Sequence, residues 1–315
     1  MNIVVPPTRA PERPTRLVLL GHPVTHSLSP IFQNAALKSA GLSATYDALD
    51  VTPDALTGVL RELARAGVAG NVTIPHKETF AAACVRTTEL AARVGAVNTF
   101  WHEKGKLVGD NTDVIGARIA IAALLDAPPA IDSTTEQSNG PGDHIARAPI
   151  PVTLLGAGGA AAAVIVALES FAPVTITVCA RTPDRARALA HRLGVLLTVI
   201  ENADEAVRNA ALVINCTPVG LRDNTFPVAI ESLATNARVL DLIAKSGDTA
   251  WVQAARAAGH TAEDGTRMVI EQGAAAFERW FDMVPDRASM WRALKPRAES
   301  LPTPRWTPSQ SGNRA

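Results

Sequence analysis

Cysteine and aromatic residues are scarce in this chain. Of its 315 residues, three are cysteine and one is tyrosine, and aromatic residues make up 4%. The three widely spaced thiols (Cys84, Cys179 and Cys216) exclude a disulfide framework and a cysteine-rich metal site, and they suit a reducing compartment. Because large rings are few, alanine and aliphatic side chains must supply most of the core.

An excess of charge of either sign is also missing. The 30 lysine and arginine residues balance 30 aspartate and glutamate residues, so the formal net charge is zero. Such a chain has no general field that would attract nucleic acid or an anionic membrane. Hydrophobic residues make up 47% and charged residues 19%, which is enough for a buried core and argues against global disorder.

Long apolar runs without breaks are absent as well. The first residues, MNIVVPPTRAPERPT, lack the apolar core of a secretory signal, so we expect a cytoplasmic protein. Residues 148–168 carry no charge, but Pro149, Pro151 and three glycines interrupt them. That pattern predicts a buried strand, a tight turn and the start of a helix rather than a membrane span.

Short apolar strands alternate with helical spacing along most of the chain, which predicts an α/β fold with mostly parallel sheets. The length favours two domains. We predict a mobile tail over 1–15, a first domain over 16–112 and a second domain over 113–264. Residues 127–150 are rich in Pro, Ser and Gly and predict a flexible insertion. C-terminal helices over 265–300 follow, and then a second mobile tail over 301–315.

A glycine-rich turn, LLGAGGAA at 154–161, ends a strand and opens a helix. This is the context that a dinucleotide fingerprint requires. Gly156 would allow the sharp turn, Gly158 would let the backbone approach a pyrophosphate, and the helix N-terminus would offer N–H groups to the phosphates. The candidate cofactor residues here are Gly156, Ala157, Gly158, Gly159 and Ala160. A turn that serves packing alone is the alternative.

The next strand ends without a carboxylate at its tip, where an NAD-binding protein would place one. It reads Ala180, Arg181 and Thr182, and Arg185 follows in the next helix. Two guanidinium groups and a hydroxyl suit a 2′-phosphate, so the sequence favours NADP. An ordinary solvated arginine pair is the alternative.

Two familiar kinds of dehydrogenase site are excluded. The only tyrosine, Tyr46, is followed four residues later by Asp50 rather than by the lysine of a Tyr-x-x-x-Lys site. Zinc-dependent alcohol oxidation would need cysteine ligands that this chain does not group together. His22 and His26 have helical spacing, but Pro23 lies between them, so we predict no metal site.

Four polar segments end predicted strands in the first half of the chain: HSLSP (26–30), NVTIPHK (71–77), GAVNT (95–99) and GDNTD (109–113). Open α/β sheets bind ligands at such strand ends, and hydroxyl and amide groups there suit a small polyol. Lys77 and Asp113 are the natural proton-handling pair. The alternatives are a solvated lysine, an aspartate that caps a helix, serines 27 and 29 as helix caps, and Asn98 as a turn residue.

In their order, these motifs resemble the shikimate dehydrogenase family, from about Arg16 to Trp280. The family reduces 3-dehydroshikimate to shikimate with NADPH on the chorismate route to aromatic amino acids. The resemblance implies that 16–112 form an N-terminal α/β substrate-binding catalytic domain and that 113–264 form a Rossmann-type, doubly wound NADP-binding domain. It also implies that the helices of 265–300 return to the substrate domain. It implies that Lys77 and Asp113 are catalytic. The implied substrate contacts are Ser27, Ser29, Asn71, Thr73, Lys77, Asn98, Asp113 and Gln272. The implied cofactor contacts are Gly156, Ala157, Gly158, Gly159, Ala160, Arg181, Thr182, Arg185, Thr217 and Gly265.

The chain departs from the family pattern at two positions. Ala180 replaces an asparagine, and Ala244 replaces the tyrosine that commonly reaches the substrate carboxylate. A wider pocket at Ala244 would suit quinate or another shikimate analogue, which stays open as an alternative. A catalytically silent dinucleotide sensor is a second alternative. Methylenetetrahydrofolate dehydrogenases share a comparable plan, but HSLSP and GDNTD favour the shikimate family. The expected partner is a small-molecule substrate, bound by a monomer or homodimer.

Overall fold

The structure, a computed structural model, describes residues 3–5, 13–125, 148–171 and 173–294. Most of the predicted insertion at 127–150 and all of the tail at 301–315 lie outside these ranges. Among the described helices, none combines the length and the apolar character needed to cross a membrane.

Seven strands form the first sheet. They are β1 (Ile3–Val5), β2 (Arg16–Gly21), β3 (Thr45–Asp50), β4 (Ala69–Val72), β5 (Arg86–Thr88), β6 (Thr99–Glu103) and β7 (Lys106–Asp110). Their order is β1-β5-β7-β6-β4-β2-β3. Only β6 runs against its neighbours β4 and β7 within this sheet. The start of β6 therefore lies at the edge where the other strands end.

Five helices follow strands of this sheet. They are α1 (Ser29–Ser39), α2 (Leu56–Arg65), α3 (Lys77–Ala83), α4 (Glu89–Val94) and α5 (Asp113–Leu125). A 3₁₀ turn, Pro53–Ala55, precedes α2, and the chain becomes α-helical at Leu56. Proline at the first helical position suits such a start, because its missing N–H would have no partner there.

The second sheet has six parallel strands. They are β8 (Ile150–Leu155), β9 (Val174–Cys179), β10 (Thr198–Ile200), β11 (Leu212–Asn215), β12 (Arg238–Asp241) and β13 (Ala262–Glu263). The order is β10-β9-β8-β11-β12-β13, so the direction of winding reverses at β8. This is the doubly wound α/β arrangement that the family resemblance implies. Ligands of such sheets bind at the carboxyl ends of the strands beside the reversal.

The remaining helices are α6 (Gly159–Leu168), α7 (Pro183–Leu193), α8 (Ala203–Val207), α9 (Ala250–Ala257), α10 (Thr266–Phe281) and α11 (Arg287–Leu294). Helices α5 and α10 pack against each other and join the two sheets. Ala117 of α5 belongs to the core beside the second sheet, whereas Phe277 of α10 belongs to the core beside the first. A Cβ at Gly116 would lie 2.4 Å from the carbonyl oxygen of Met268, so glycine permits this close contact.

Residues 3–5 fall within the segment predicted as a mobile tail, yet they form β1. Ile3, Val4 and Val5 pair in parallel with Arg86, Thr87 and Thr88 of β5. Branched side chains favour extended backbone, but three residues carry too little periodicity to predict a strand. The same shortness explains why the sequence indicated no strand at β5.

Candidate active site

The carboxyl ends of both sheets open into one cleft of about 1140 Å³. The wall from the first sheet and α10 includes eight residues that the resemblance assigned to the substrate: Ser27, Ser29, Asn71, Thr73, Lys77, Asn98, Asp113 and Gln272. The wall from the second sheet includes Gly156, Ala157, Gly158, Gly159, Ala160, Arg181, Thr182, Arg185 and Thr217. The fold therefore gathers these residues although they are spread over most of the chain.

Lys77 and Asp113 meet inside the cleft. Each is the first residue of its helix, and Lys77 Nζ lies 2.6 Å from Asp113 Oδ2. The Lys77 side chain is 20% exposed and the Asp113 side chain 9%, so the contact is shielded but still open to a ligand. The N-terminus of α5 favours a carboxylate at Asp113 through its partial positive charge. The pair has the donor, the acceptor and the access that acid–base chemistry needs.

The side chain of Asn98 fixes the other oxygen of Asp113. Its Nδ2 donates to Asp113 Oδ1 at 2.8 Å and to Gln272 Oε1 at 3.1 Å. Its Oδ1 accepts from the backbone N–H of Thr112 at 2.7 Å. Asn98 is thus more than the turn residue considered as its alternative, because it ties β6, α5 and α10 together beneath the cleft.

Asn71 forms a second buried link under the same wall. Its Nδ2 donates to the Asn98 carbonyl oxygen and to Thr99 Oγ1, each at 3.0 Å. Its Oδ1 accepts from the hydroxyl of Tyr46 at 2.8 Å. Sequence reasoning used Tyr46 only to exclude a type of site, and nothing in its spacing signalled this role. The structure makes Tyr46 a support of the polar cluster.

The two serines lie where β2 leads into α1. The N-cap of α1 is Leu28, which has no side-chain capping bond, and the N–H of Ser29 donates to Ser27 Oγ at 3.2 Å. The loop is held from its other end by Asp50, which accepts from the Val24 N–H at 3.2 Å and contacts His22 Nδ1 at 2.5 Å. These contacts hold the pKa of Asp50 below its usual value, with the His22 bond the largest cause.

The glycine turn after β8 has the geometry that a dinucleotide requires. Gly156 has a φ of +106°, which favours glycine, and a Cβ there would lie 2.9 Å from Thr217 Cγ2. Added Cβ atoms at Gly158 and Gly159 would meet nothing within 4 Å, so the N-terminus of α6 faces open space. Its free N–H groups suit a pyrophosphate.

Arg181, Thr182 and Arg185 are exposed beside the end of β9. Within the described residues, no ion pair involves Arg181 or Arg185, whereas Asp184 pairs with Arg187 at 2.7 Å. Asp184 is therefore occupied by Arg187, and both Arg181 and Arg185 line the cleft. This arrangement fits a 2′-phosphate.

Gly265 is not among the residues that line the cleft. It is the N-cap of α10, where its N–H donates to the Ile243 carbonyl oxygen at 3.0 Å. A Cβ there would lie 2.3 Å from the Leu242 carbonyl oxygen, so the position needs glycine for packing. Its contact with a cofactor stays a prediction. Ala244 does line the cleft, as do Glu201 and Val269, which the sequence did not single out.

Three family models match the chain. The shikimate dehydrogenase substrate binding domain matches residues 19–100, and the shikimate / quinate 5-dehydrogenase model matches residues 146–220. The shikimate 5′-dehydrogenase C-terminal domain matches residues 265–295. A shikimate dehydrogenase (NADP(+)) of Salinibacter ruber is 38% identical over 296 residues, covering 89% of this chain and 97% of the relative. The chain belongs to the shikimate dehydrogenase family.

Solved structures of the family have the same fold. A shikimate 5-dehydrogenase from Thermus thermophilus, in complex with NADP(H) and shikimate, has a TM-score of 0.74 and 36% identity. That comparison covers 89% of this chain and 98% of the other. A quinate dehydrogenase from Corynebacterium glutamicum, in complex with NAD, has a TM-score of 0.75 and 25% identity, covering 90% and 99%.

The ionisation of the Tyr46 phenol tests directly whether its hydrogen bond to Asn71 is buried. Burial raises the pKa of its phenol above the ordinary value of 10. Because folding raises the pKa of Tyr46, its protonated phenol favours the folded state. This contribution to the free energy of unfolding is present below pH 10 and is lost as the pH rises above it. We expect ultraviolet absorbance to show no tyrosinate in folded protein at about pH 11 and to show it only as the chain unfolds.

The matched control is Tyr46→Phe, which removes the signal. It also leaves Asn71 Oδ1 without its donor, so we expect a stability loss of about 1–3 kcal/mol and a lower melting temperature. Tyrosinate that forms with an ordinary pKa while tryptophan fluorescence stays native would contradict the buried hydrogen bond.

Proposed function

We propose that this protein is an NADP-dependent shikimate dehydrogenase, which interconverts 3-dehydroshikimate and shikimate. The observation that carries the proposal is the Lys77–Asp113 contact of 2.6 Å. It lies in the same cleft as the glycine turn at Gly156 and the hydroxyl and amide groups of the first sheet. A positioned acid–base pair beside a dinucleotide site is what reversible oxidation of a secondary alcohol requires.

The residues of the second sheet fit the cofactor. The backbone N–H groups of Gly158, Gly159 and Ala160 would hold its pyrophosphate, and Arg181 and Arg185 its 2′-phosphate. Thr217 packs against the Gly156 turn and would border the same site. When bound, NADPH supplies a hydride to the ring ketone, and NADP⁺ accepts one in the opposite direction.

Lys77 handles the proton. In the direction of reduction, its Nζ donates a proton to the ring oxygen as that oxygen gains negative charge. Asp113 Oδ2 holds the ammonium group in place, and Asn98 holds Asp113 through Oδ1. To leave this position, Lys77 must break its contact with Asp113, which is itself held in place by Asn98.

The rest of the first wall recognises the substrate. We assign the substrate carboxylate to the hydroxyl groups of Ser27 and Ser29. The ring hydroxyls would contact Asn71, Thr73, Asn98, Asp113 and Gln272. Several neutral donors can replace an arginine clamp, because each hydrogen bond to a charged group is stronger than a neutral one.

Two alternatives remain as proposals with their own support. Ala244 lines the cleft, and its small side chain would leave room for quinate or another cyclic hydroxy acid. The similarity to a quinate dehydrogenase is compatible with that substrate. A silent dinucleotide sensor is less favoured, because a sensor has no need of the Lys77–Asp113 contact.

We further propose the two domains at the boundaries predicted from the sequence. Cys84, Cys179 and Cys216 are free thiols, which supports a reducing compartment and a cytoplasmic location. The small-molecule substrate would be bound by a monomer or homodimer.

Lys77→Ala should reduce turnover of shikimate roughly 10²–10⁴-fold, because the ring oxygen loses its positioned proton donor. Initial rates measure the loss, and a titration of shikimate should show a much smaller change in binding. Lys38→Ala is the control, since Lys38 is exposed in the last turn of α1. Turnover of Lys77→Ala within threefold of the unmodified protein would remove Lys77 from the mechanism.

Arg181→Ala should raise the KM for NADP by roughly tenfold and leave that for NAD nearly unchanged, because only NADP has the 2′-phosphate. Arg187→Ala is the matched control, since Arg187 lies nearby in α7 but pairs with Asp184 instead. Equal weakening of both cofactors would assign Arg181 to the pyrophosphate or to folding.

A further inference from the structure

Two loops of the second sheet line the cleft side by side. One follows β11 and the other follows β12, and these strands pair with Asn215 opposite Asp241. The lining residues from the two loops are Cys216, Thr217, Pro218, Val219, Leu242 and Ala244. Asn215, Asp241 and Thr249, which help to hold these loops together, are buried and do not line the cleft, so the arrangement of the loops depends on groups beneath it.

Asp241 is the group that both loops share. Its side chain is buried, with 1% exposed, and within the described residues it forms no ion pair. Its Oδ1 accepts from Asn215 Nδ2 at 2.9 Å and from the Ile243 N–H at 3.2 Å. Its Oδ2 accepts from Thr249 Oγ1 at 2.7 Å. Three donors therefore satisfy this buried side chain, and through them Asp241 contacts the end of β11 and both ends of the loop that follows β12.

The contact with Asp241 decides which way the Asn215 amide points. The NH₂ group donates to Asp241 Oδ1 and to the Val219 carbonyl oxygen at 3.3 Å. Asn215 Oδ1 must then face Thr217, where it accepts from the N–H at 3.0 Å and from Oγ1 at 2.6 Å. With the amide reversed, two donors would oppose each other at Thr217 and two acceptors at Asp241.

Thr217 links the orientation of the Asn215 amide to the cofactor side of the cleft. Its Oγ1 accepts from the Val219 N–H at 3.2 Å, which closes the loop. Its Cγ2 lies against Gly156, the residue that turns the chain toward the phosphate-binding helix. The loop and the glycine turn are therefore in contact through this methyl group and through the Cys216 N–H, which donates to the Leu155 carbonyl oxygen at 2.8 Å.

We propose that Asp241 is a positioning residue for the cofactor site, acting through Asn215 on Thr217 and through Ile243 on the loop that contains Ala244. The inference rests on the proposed NADP-dependent activity. Asp241 touches no ligand itself, and its effect is to keep two lining loops in the conformation that accepts NADPH. Positioning of the two loops requires a hydrogen-bond acceptor where Asp241 Oδ1 lies, whereas Asp241 Oδ2 accepts only from Thr249.

The two oxygens make the test specific. Asp241→Ala removes both acceptors. Asp241→Asn keeps an acceptor at Oδ1 and can donate from its NH₂ group to Thr249 Oγ1. Thr249→Val removes the bond to Oδ2 and the cap that Thr249 Oγ1 provides for α9, so it lowers stability but leaves the bonds of Oδ1 with Asn215 and Ile243 intact.

The measurement is the dissociation constant of NADPH, titrated by fluorescence without substrate, together with the melting temperature of each variant. We expect roughly tenfold weaker binding for Asp241→Ala, which is the ratio for a net loss of one or two hydrogen bonds. Asp241→Asn should bind within threefold of the unmodified protein, and Thr249→Val should melt earlier but bind normally. In steady state, Asp241→Ala should raise the KM for NADPH more than it lowers kcat.

Two results would overturn the inference: unchanged NADPH binding in Asp241→Ala, or equal weakening in Thr249→Val. If Asp241→Ala does not fold, Asn215→Ala takes its place, because it removes the buried amide that joins Asp241 to Thr217 and does not line the cleft. Unchanged NADPH binding in Asn215→Ala also overturns the inference. Failure of the unmodified protein to bind NADPH would instead contradict the proposed function.

Discussion

The 2.6 Å contact between Lys77 Nζ and Asp113 Oδ2 is the constraint on which the rest of the site depends. It requires the first residues of α3 and α5 to converge, although 36 residues separate them along the chain. The antiparallel strand β6 makes this possible, because its start brings Asn98 to the edge where β4 and β7 end. A fully parallel sheet would place Asn98 at the opposite edge, and Asp113 would lose its second partner.

The second sheet supplies the other half of the cleft through its reversal at β8. The glycine turn, the two arginines and the Thr217 loop all follow strands beside that point. Helices α5 and α10 connect this wall to the first, and α10 adds Gln272 to the Asn98 cluster. A change in how these two helices pack would therefore alter both walls at once.

Sequence patterns predicted the mostly parallel α/β fold, the glycine turn and the strand-end motifs, because each is marked by local residue order, whereas the doubly wound order came from the family resemblance. The pairing of Lys77 with Asp113 could also be predicted, because both residues follow strands whose carboxyl ends meet at one edge of the sheet. Tyr46 and Asp241 escaped prediction, since their roles come from partners 25 and 26 residues away. No local spacing encodes such contacts. The strands β1 and β5 were not predicted, because they are too short to show a hydrophobic period. The cofactor contact of Gly265 stays a prediction, and the close approach of the Leu242 carbonyl oxygen explains why glycine is needed there.

The most direct test of the account is the initial rate of the purified protein with shikimate and with quinate, each combined with NADP and with NAD. The account predicts the highest kcat/KM for shikimate with NADP, because the acid–base pair, the serine hydroxyls and the free guanidinium groups all serve that combination. No turnover with any pair would contradict the catalytic role of the cleft. A preference for quinate with NAD would contradict both the proposed substrate and the reading of Arg181 and Arg185.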